Sequence, residues 1–378
     1  MLLDRTPDQE FFRDTTARFL KETVPAGELR RLRDDEDGYG RDHWRRGADL
    51  GWTSLLVGED RGGGSISGSG LLDLTLVAHE FGAHAAPGPL LPTNVVAATL
   101  DAHHDDTDPA VLAGILDGSV TAAWCHTEPR PTSRAGASPV EIVAEGDEVV
   151  VRGTKRPVEA AASADVLLVS GRTGDGVSLV LVPADAPGVR ITPLQSIDVT
   201  RRYAAVEFDD VRLPSSALVG PAGAAAAAVE QARLRSLVIS CAESVGALQS
   251  AFDLTLAWTF DRYSFGRPLA SYQELKHRCA DLKTWLEACH GISDAAATAV
   301  ATGSGDAARL TSAAKAFIGD YGGELMQDCV QIHGGIGLTY EHDLHLYMRR
   351  AAANRSSHGT PAEHRQLIAD IVDAQEAA

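Results

Sequence analysis

Two short stretches bring together side chains that can hold phosphates and flat rings. In Asp261-Arg262-Tyr263-Ser264-Phe265-Gly266-Arg267-Pro268, two guanidinium groups flank aromatic rings and a glycine turn. Arginine's planar fork suits a pyrophosphate, Phe265 can pack on a ring, and Gly266 allows close backbone approach, so the segment suits a phosphorylated aromatic ligand. It reads equally well as a loop joining two packed helices, because R-x-x-F-G is short. The second stretch, Gln331-Ile332-His333-Gly334-Gly335-Ile336-Gly337, offers an amide side chain and clustered glycines whose backbone N–H groups could meet a ligand. It is neither a G-x-G-x-x-G turn after a strand nor a lysine-bearing phosphate loop, and a helix-ending glycine turn accounts for it as well. No metal set accompanies them: Cys125, Cys241, Cys279, Cys289 and Cys329 contain no C-x-x-C, which fits reduced thiols better than a zinc or disulfide framework.

Both stretches need long helices to hold them. From about Pro7 to Leu116 the apolar spacing is helical, punctuated by Gly62-Gly63-Gly64 and Pro87-Gly88-Pro89. Between Val120 and Val219 the composition turns β-rich, in short valine runs with spacers too short for helical crossovers, so a mostly antiparallel module is expected. After Pro221, placed to sit in a first helical turn, Val238, Cys241, Val245, Leu248, Phe252 and Leu256 mark a buried helical stripe. Ser271-Tyr272-Gln273-Glu274 reads as a capping box opening the next helix, and Gly303-Ser304-Gly305 separates that helix from another. The expected fold class is α+β: residues 1–120 helical, 121–219 an antiparallel β domain, and 220–378 a four-helix-bundle domain.

The balance of 34 basic against 52 acidic residues, −18 overall, would repel a polyphosphate backbone, so nucleic acid is not expected as a partner. The sequence shows no apolar run approaching the roughly 18 residues of a membrane span, and the start of the chain acquires charge too early for a signal-peptide core. Neither a membrane nor secretion is expected; the compartment reads as cytoplasmic.

In this α, β, α order the two stretches resemble the acyl-CoA dehydrogenase family over essentially the whole chain. Leu50-Gly51-Trp52, Glu80-Phe81-Gly82, Thr127-Glu128-Pro129, Gly153-Thr154-Lys155 and His277 carry the resemblance further. It implies FAD, an acyl-CoA substrate, an electron-transferring flavoprotein or similar acceptor, and a tetramer in which one subunit completes its neighbour's flavin site. Carried over by residue, Arg262 would grip FAD phosphate and Phe265 would pack by the cofactor. Gln273, and Gln331 through Gly334 and Gly335, would meet the flavin of an adjoining subunit, and Thr360 would lie beside the flavin's own phosphates. In that family a carboxylate removes the proton α to the thioester carbonyl while the β-hydride leaves to the flavin.

The sequence departs from the family where that chemistry is done. The usual glutamate before the C-terminal Gly-Thr pair is His358, and the alternative position aligns with Arg235 or Ser236. His358, whose imidazole ordinarily titrates near neutrality, is the candidate base, with Glu230 and Glu243 as weaker substitutes and Glu243 an ordinary helix carboxylate. Pro157 and Glu159 stand where an aromatic ring and a hydroxyl normally meet the isoalloxazine, and an ionised Glu159 would oppose a reduced flavin's charge. Arg130-Pro131-Thr132-Ser133 replaces a Gly-Ser-Asp turn. Intact groups for a neighbour's site beside altered groups for its own site resemble the base-lacking subunit of heteromeric steroid acyl-CoA dehydrogenases of actinobacteria, with a homologous partner supplying the glutamate in a heterotetramer. The alternatives are a homomeric flavoenzyme that uses His358 and a flavin-free binding or assembly protein.

Overall fold

A computed structural model describes residues 5–35, 37–128 and 140–376. The Arg130 to Ser133 departure therefore lies outside the described residues. Six helices come first: α1 (Pro7–Thr23), α2 (Ala26–Arg31), α3 (Arg41–Asp49), α4 (Gly70–Ala83), α5 (Leu90–Ala102) and α6 (Pro109–Leu116). Thr6 opens α1 with a reciprocal cap, its hydroxyl accepting from the Gln9 amide while the Gln9 side chain accepts from the Thr6 amide. Trp44, Trp52, Phe81 and Leu74 fill the core beneath these helices.

Seven strands follow: β1 (Ala122–Cys125), β2 (Glu141–Glu145), β3 (Glu148–Glu159), β4 (Val166–Thr173), β5 (Gly176–Pro183), β6 (Val189–Leu194) and β7 (Tyr203–Pro214). They form one sheet in the order β1-β4-β2-β3-β7-β6, with β5 paired to β4. The pairings are antiparallel except for β1 with β4 and a single β2–β4 bridge, so the expected antiparallel module is present with a parallel edge. Val149, Val151, Leu167, Val169, Val180, Val182 and Val206 supply its core.

The remaining helices are α7 (Ala226–Asp261), α8 (Gln273–Ala301), α9 (Ala307–His333), α10 (Leu344–Ser356) and α11 (Pro361–Glu376). Successive turns make α8 antiparallel to α7 and α9 parallel to it, and all three pack together. At 36 residues α7 is about 54 Å long. One 18-residue window of α7 is apolar enough to cross a membrane, and 78% of that window is buried by the protein. The core explains why: α7 lies against α4 and α5 on one side and α8, α9 and α10 on the other.

Three local expectations are corrected. Pro221 sits in a turn before α7, which starts at Ala226. Leu256 is exposed, because the covered face of α7 continues through Phe252, Thr255 and Thr259 and leaves Leu256 on the outer side. The capping box at Ser271 does not form: Tyr272 is the cap residue of α8, and the Ser271 hydroxyl donates backward to the Pro268 carbonyl at 2.7 Å. That local acceptor outcompetes the helix amide.

Candidate functional site

The segment between α7 and α8 is a two-residue hairpin. Tyr263 pairs with Pro268 and Ser264 with Arg267, leaving Phe265 and Gly266 at the tip with φ of 51° and 82°. Two left-handed residues match the right-handed twist of a tight hairpin, which suits Gly266 and costs Phe265. Tyr272 braces the loop: its hydroxyl donates to the Ser264 carbonyl at 2.7 Å, and the Arg267 guanidinium lies 3.9 Å from its ring centroid. The Phe265 ring is thereby held out, 97% exposed. Arg262 at the hairpin base is exposed, and among the described residues its side chain has no hydrogen-bond or ionic partner.

At the end of α9, Gly334 turns the chain with φ 71°, and a Cβ at Gly334 or Gly335 would meet nothing, so this backbone is open to a ligand. Trp258 in the last turn of α7 stacks on His333 at 5.3 Å, and His342 closes on His333 at 4.5 Å. These rings bring the end of α7 against the end of α9, and Gln273 starts α8 at the same end of the bundle. Arg262, Phe265, Gln273, Gln331, Gly334 and Gly335 therefore share one face, together with exposed Phe260, Tyr263, Leu338 and Tyr340.

His358 and Thr360 lie elsewhere, beyond the far end of α10, which runs roughly 20 Å back along α9. His358 is half-buried beside Trp124, their rings 6.4 Å apart and 18° from parallel, and Trp124 stacks on His126 at 4.5 Å. Burial, then the Lys315 ammonium and Arg201, push the His358 imidazole down to about 3; burial and Lys155 do the same to His126. Both rings are neutral across the physiological range. A ring shifted in that direction is a weaker base than an ordinary imidazole. Thr360 caps α11: its amide and hydroxyl both donate to the Glu363 carboxylate, at 2.7 and 2.9 Å, and its hydroxyl accepts from the Glu363 amide.

Glu159 does not face the cleft alone. It takes the Arg201 guanidinium at 3.2 Å, and burial raises its pKa despite that partner. Arg201 also pairs with Glu243, which accepts from Arg350 at 2.5 Å; Arg350 in turn donates to Asp198 at 2.5 Å and the Thr200 hydroxyl at 2.6 Å. Asn354 joins by donating to Glu243. Glu243 is thus no ordinary helix carboxylate but the centre of a buried network tying α7, α10, β3 and the β6–β7 link together. Among the other substitutes, Glu230 is engaged by Arg233 at 2.7 and 2.8 Å, Ser236 bonds its own helix, and Arg235 is half-buried with its pKa lowered by burial.

Sequence reasoning missed Trp124, Arg201 and Lys315. Trp124 alone had a signal, standing three residues before Thr127-Glu128. Lys155, read only as a motif residue, is fully buried and pairs with Glu128, its pKa lowered by burial.

The two regions differ in what they offer a flavin dinucleotide. An unpartnered exposed guanidinium, a presented ring and open glycine backbone fit a flavin dinucleotide at the bundle end. The residues that the resemblance assigns to the chain's own flavin are already engaged within the protein: Glu363 accepts from the Thr360 amide and hydroxyl at the start of α11, and the Glu159 carboxylate is held by Arg201.

Comparison with known proteins bears on the family and the fold. Models for the acyl-CoA dehydrogenase N-terminal, middle and C-terminal domains match residues 6–107, 123–211 and 222–372. The chain is 29% identical over 366 residues to acyl-CoA dehydrogenase IpdE2 of Mycolicibacterium smegmatis, covering 96% of this chain and 99% of that one. It is similar in structure to a variant of the Tcur3481-Tcur3483 steroid ACAD, with a TM-score of 0.88, 26% identity, and coverage of 98% of this chain and 99% of that one. It also shares its fold with a chain of the ChsE4-ChsE5 complex from Mycobacterium tuberculosis, at TM-score 0.88 and 22% identity over 99% of each.

Proposed function

The chain belongs to the acyl-CoA dehydrogenase family of FAD-dependent oxidoreductases, and from that premise we propose that it is a subunit of a heteromeric enzyme, completing a homologous partner's flavin site rather than running the reaction in its own cleft. One observation carries the reading: the side chains suited to a flavin's phosphates and rings converge on an exposed end of the bundle, Arg262 with no hydrogen-bond or ionic partner among the described residues, while Glu159 and Thr360 are engaged by Arg201 and Glu363. The likeness to the Tcur3481-Tcur3483 steroid ACAD supports a two-chain assembly and a steroid or lipid acyl thioester as substrate.

When bound, FAD supplies the acceptor for a hydride from the β-carbon of the acyl-CoA as a base takes the α-proton. This chain's part is to bind and orient. Arg262 would neutralise phosphate charge through a two-pronged contact, and Phe265 would cover the cofactor against water. Gln273 and Gln331 would add amide hydrogen bonds, and the Gly334 and Gly335 backbone admits the ligand closely. The proton would go to the partner's carboxylate, since a ring held near 3 is a weak acceptor for an α-proton.

The experiment is to co-express the chain with a homologous chain that has glutamate before its C-terminal Gly-Thr, then count FAD per chain by absorbance and assay acyl-CoA oxidation. Half as many flavins as chains, and no flavin on this chain purified alone, is the expected result. One flavin per chain in a catalytically active homomer would overturn the reading.

A further inference from the structure

Lys315 is 3% exposed in the first third of α9, yet no carboxylate among the described residues bonds to it. Its Nζ donates instead to three backbone carbonyls: Asn354 at 2.6 Å, Arg355 at 3.2 Å and Gly359 at 3.1 Å. The first two lie in the last turn of α10, where helix carbonyls have no internal partner and a cation is favoured. The third lies past the helix, on the second of two successive positive-φ residues, His358 at φ 56° and Gly359 at φ 102°. A histidine held in that region relaxes unless its surroundings fix it.

We propose that Lys315 is a positioning residue: its three ammonium protons, each directed at a different carbonyl, set the 357–360 turn and so hold the His358 ring against Trp124. The rest of the turn is fastened from α11, where His364 Nε2 donates to the His358 carbonyl at 2.9 Å and Glu363 engages Thr360. Lys315 is the group that ties the turn to α9 and to the end of α10 at once. The role is independent of whether residue 358 does chemistry in this chain, so its test and that of the proposed function fail separately.

The count of protons makes the role measurable. An ammonium has three donors for the three carbonyls, whereas the amine left on deprotonation has two and turns a lone pair toward the third. Burial pushes Lys315 down to about 8, so this loss falls in an accessible range. The other charged or titratable groups facing His358 are Arg233 on α7, Arg201 on the β6–β7 link, His364 on α11, down at about 4, and His126 after β1, down at about 3. Lys315 itself faces Cys241 on α7, pushed up to about 12, Arg355 on α10 and Glu363 on α11.

The test labels the full-length chain with histidine carrying ¹³C at Cε1, assigns His358 by His358→Gln, and follows its signal from pH 6 to 9.5. In the wild type the His358 signal steps with a midpoint near 8. In Lys315→Met the step disappears and the pH 6.5 signal leaves its wild-type position, while those of His103 and His104 stay. Lys315→Arg, which keeps charge and donors but does not deprotonate in this range, also shows no step and decides the matter where the methionine variant fails to fold. A wild-type signal with no step, or a step that survives in either variant, overturns the proposal.

Discussion

Replacing Arg350 by methionine tests the buried network where it is most exposed to failure. Glu159, Asp198 and Glu243 face Arg201 and Arg350, three carboxylates against two guanidinium groups, so one negative charge is already in excess. Arg350→Met leaves three carboxylates with one cation and strips donors from the Ala85 and Ala86 carbonyls and the Thr200 hydroxyl. Removing one partner of a buried pair costs about 3–5 kcal/mol, because the remaining charge stays buried. Glu159→Gln acts the other way: it removes the excess charge and keeps a polar atom for Arg201, so its cost should stay within about 1 kcal/mol at neutral pH. The sign of the pH dependence follows from burial raising the Glu159 pKa above its ordinary 4.5. The stability associated with that retained proton is complete below the ordinary glutamate range and is lost as pH rises through the raised value. Glutamine has no proton to lose, so the variant should gain on the wild type as pH rises above the ordinary glutamate range. Urea unfolding followed by circular dichroism and tryptophan fluorescence at three pH values measures both effects. The reasoning fails if Arg350→Met costs no more than Glu159→Gln, or if wild type and Glu159→Gln keep a constant gap over that rise in pH.

Arg262→Ala should weaken FAD binding by the co-expressed complex about 10- to 150-fold, the equivalent of about 1.5–3 kcal/mol for a charge-assisted contact, while leaving this chain's melting temperature unchanged because the side chain has no internal partner. Flavin fluorescence on titration of the apo complex, with thermal melts alongside, reads both. His358→Ala in the same complex should keep turnover within a few-fold of wild type; a loss on the order of 10² to 10⁴ would move proton abstraction onto this chain. The pH–rate profile should show no step near 6.5 attributable to His358, whose imidazole is already deprotonated there. Glu363→Ala should free the Thr360 amide and weaken the start of α11 by about 0.5–2 kcal/mol, seen as faster amide exchange in its first turns.

The order of helices, sheet and helices was legible because apolar period alone separates Leu71 to Phe81 from Val166 to Val169. The bundle-end groups were legible as two motifs, but their convergence was not: it depends on Trp258 meeting His333, residues 75 apart in sequence with no shared motif. Lys315 was invisible for a different reason, since its partners are backbone carbonyls and no side-chain pattern marks them. The Ser271 cap was misread because residue type announced the motif while the nearer Pro268 carbonyl took the hydroxyl. Glu243 looked like an ordinary helix carboxylate, and only the fold brings Arg201 and Arg350 to it from 42 residues upstream and 107 downstream.

The length and apolarity of α7 bear on how the chain is made. A 36-residue segment that meets the criteria for crossing a bilayer is a hazard while it is unpaired. The order of synthesis limits that hazard: α4 and α5, which cover one side of α7, leave the ribosome well over a hundred residues earlier, whereas α8, α9 and α10 leave after it. During translation α7 is therefore first a half-covered helix with its bundle face open. The short connection into α8 hastens the closing of that face, and slowing elongation just after Asp261 would lengthen its exposure to chaperones and membranes.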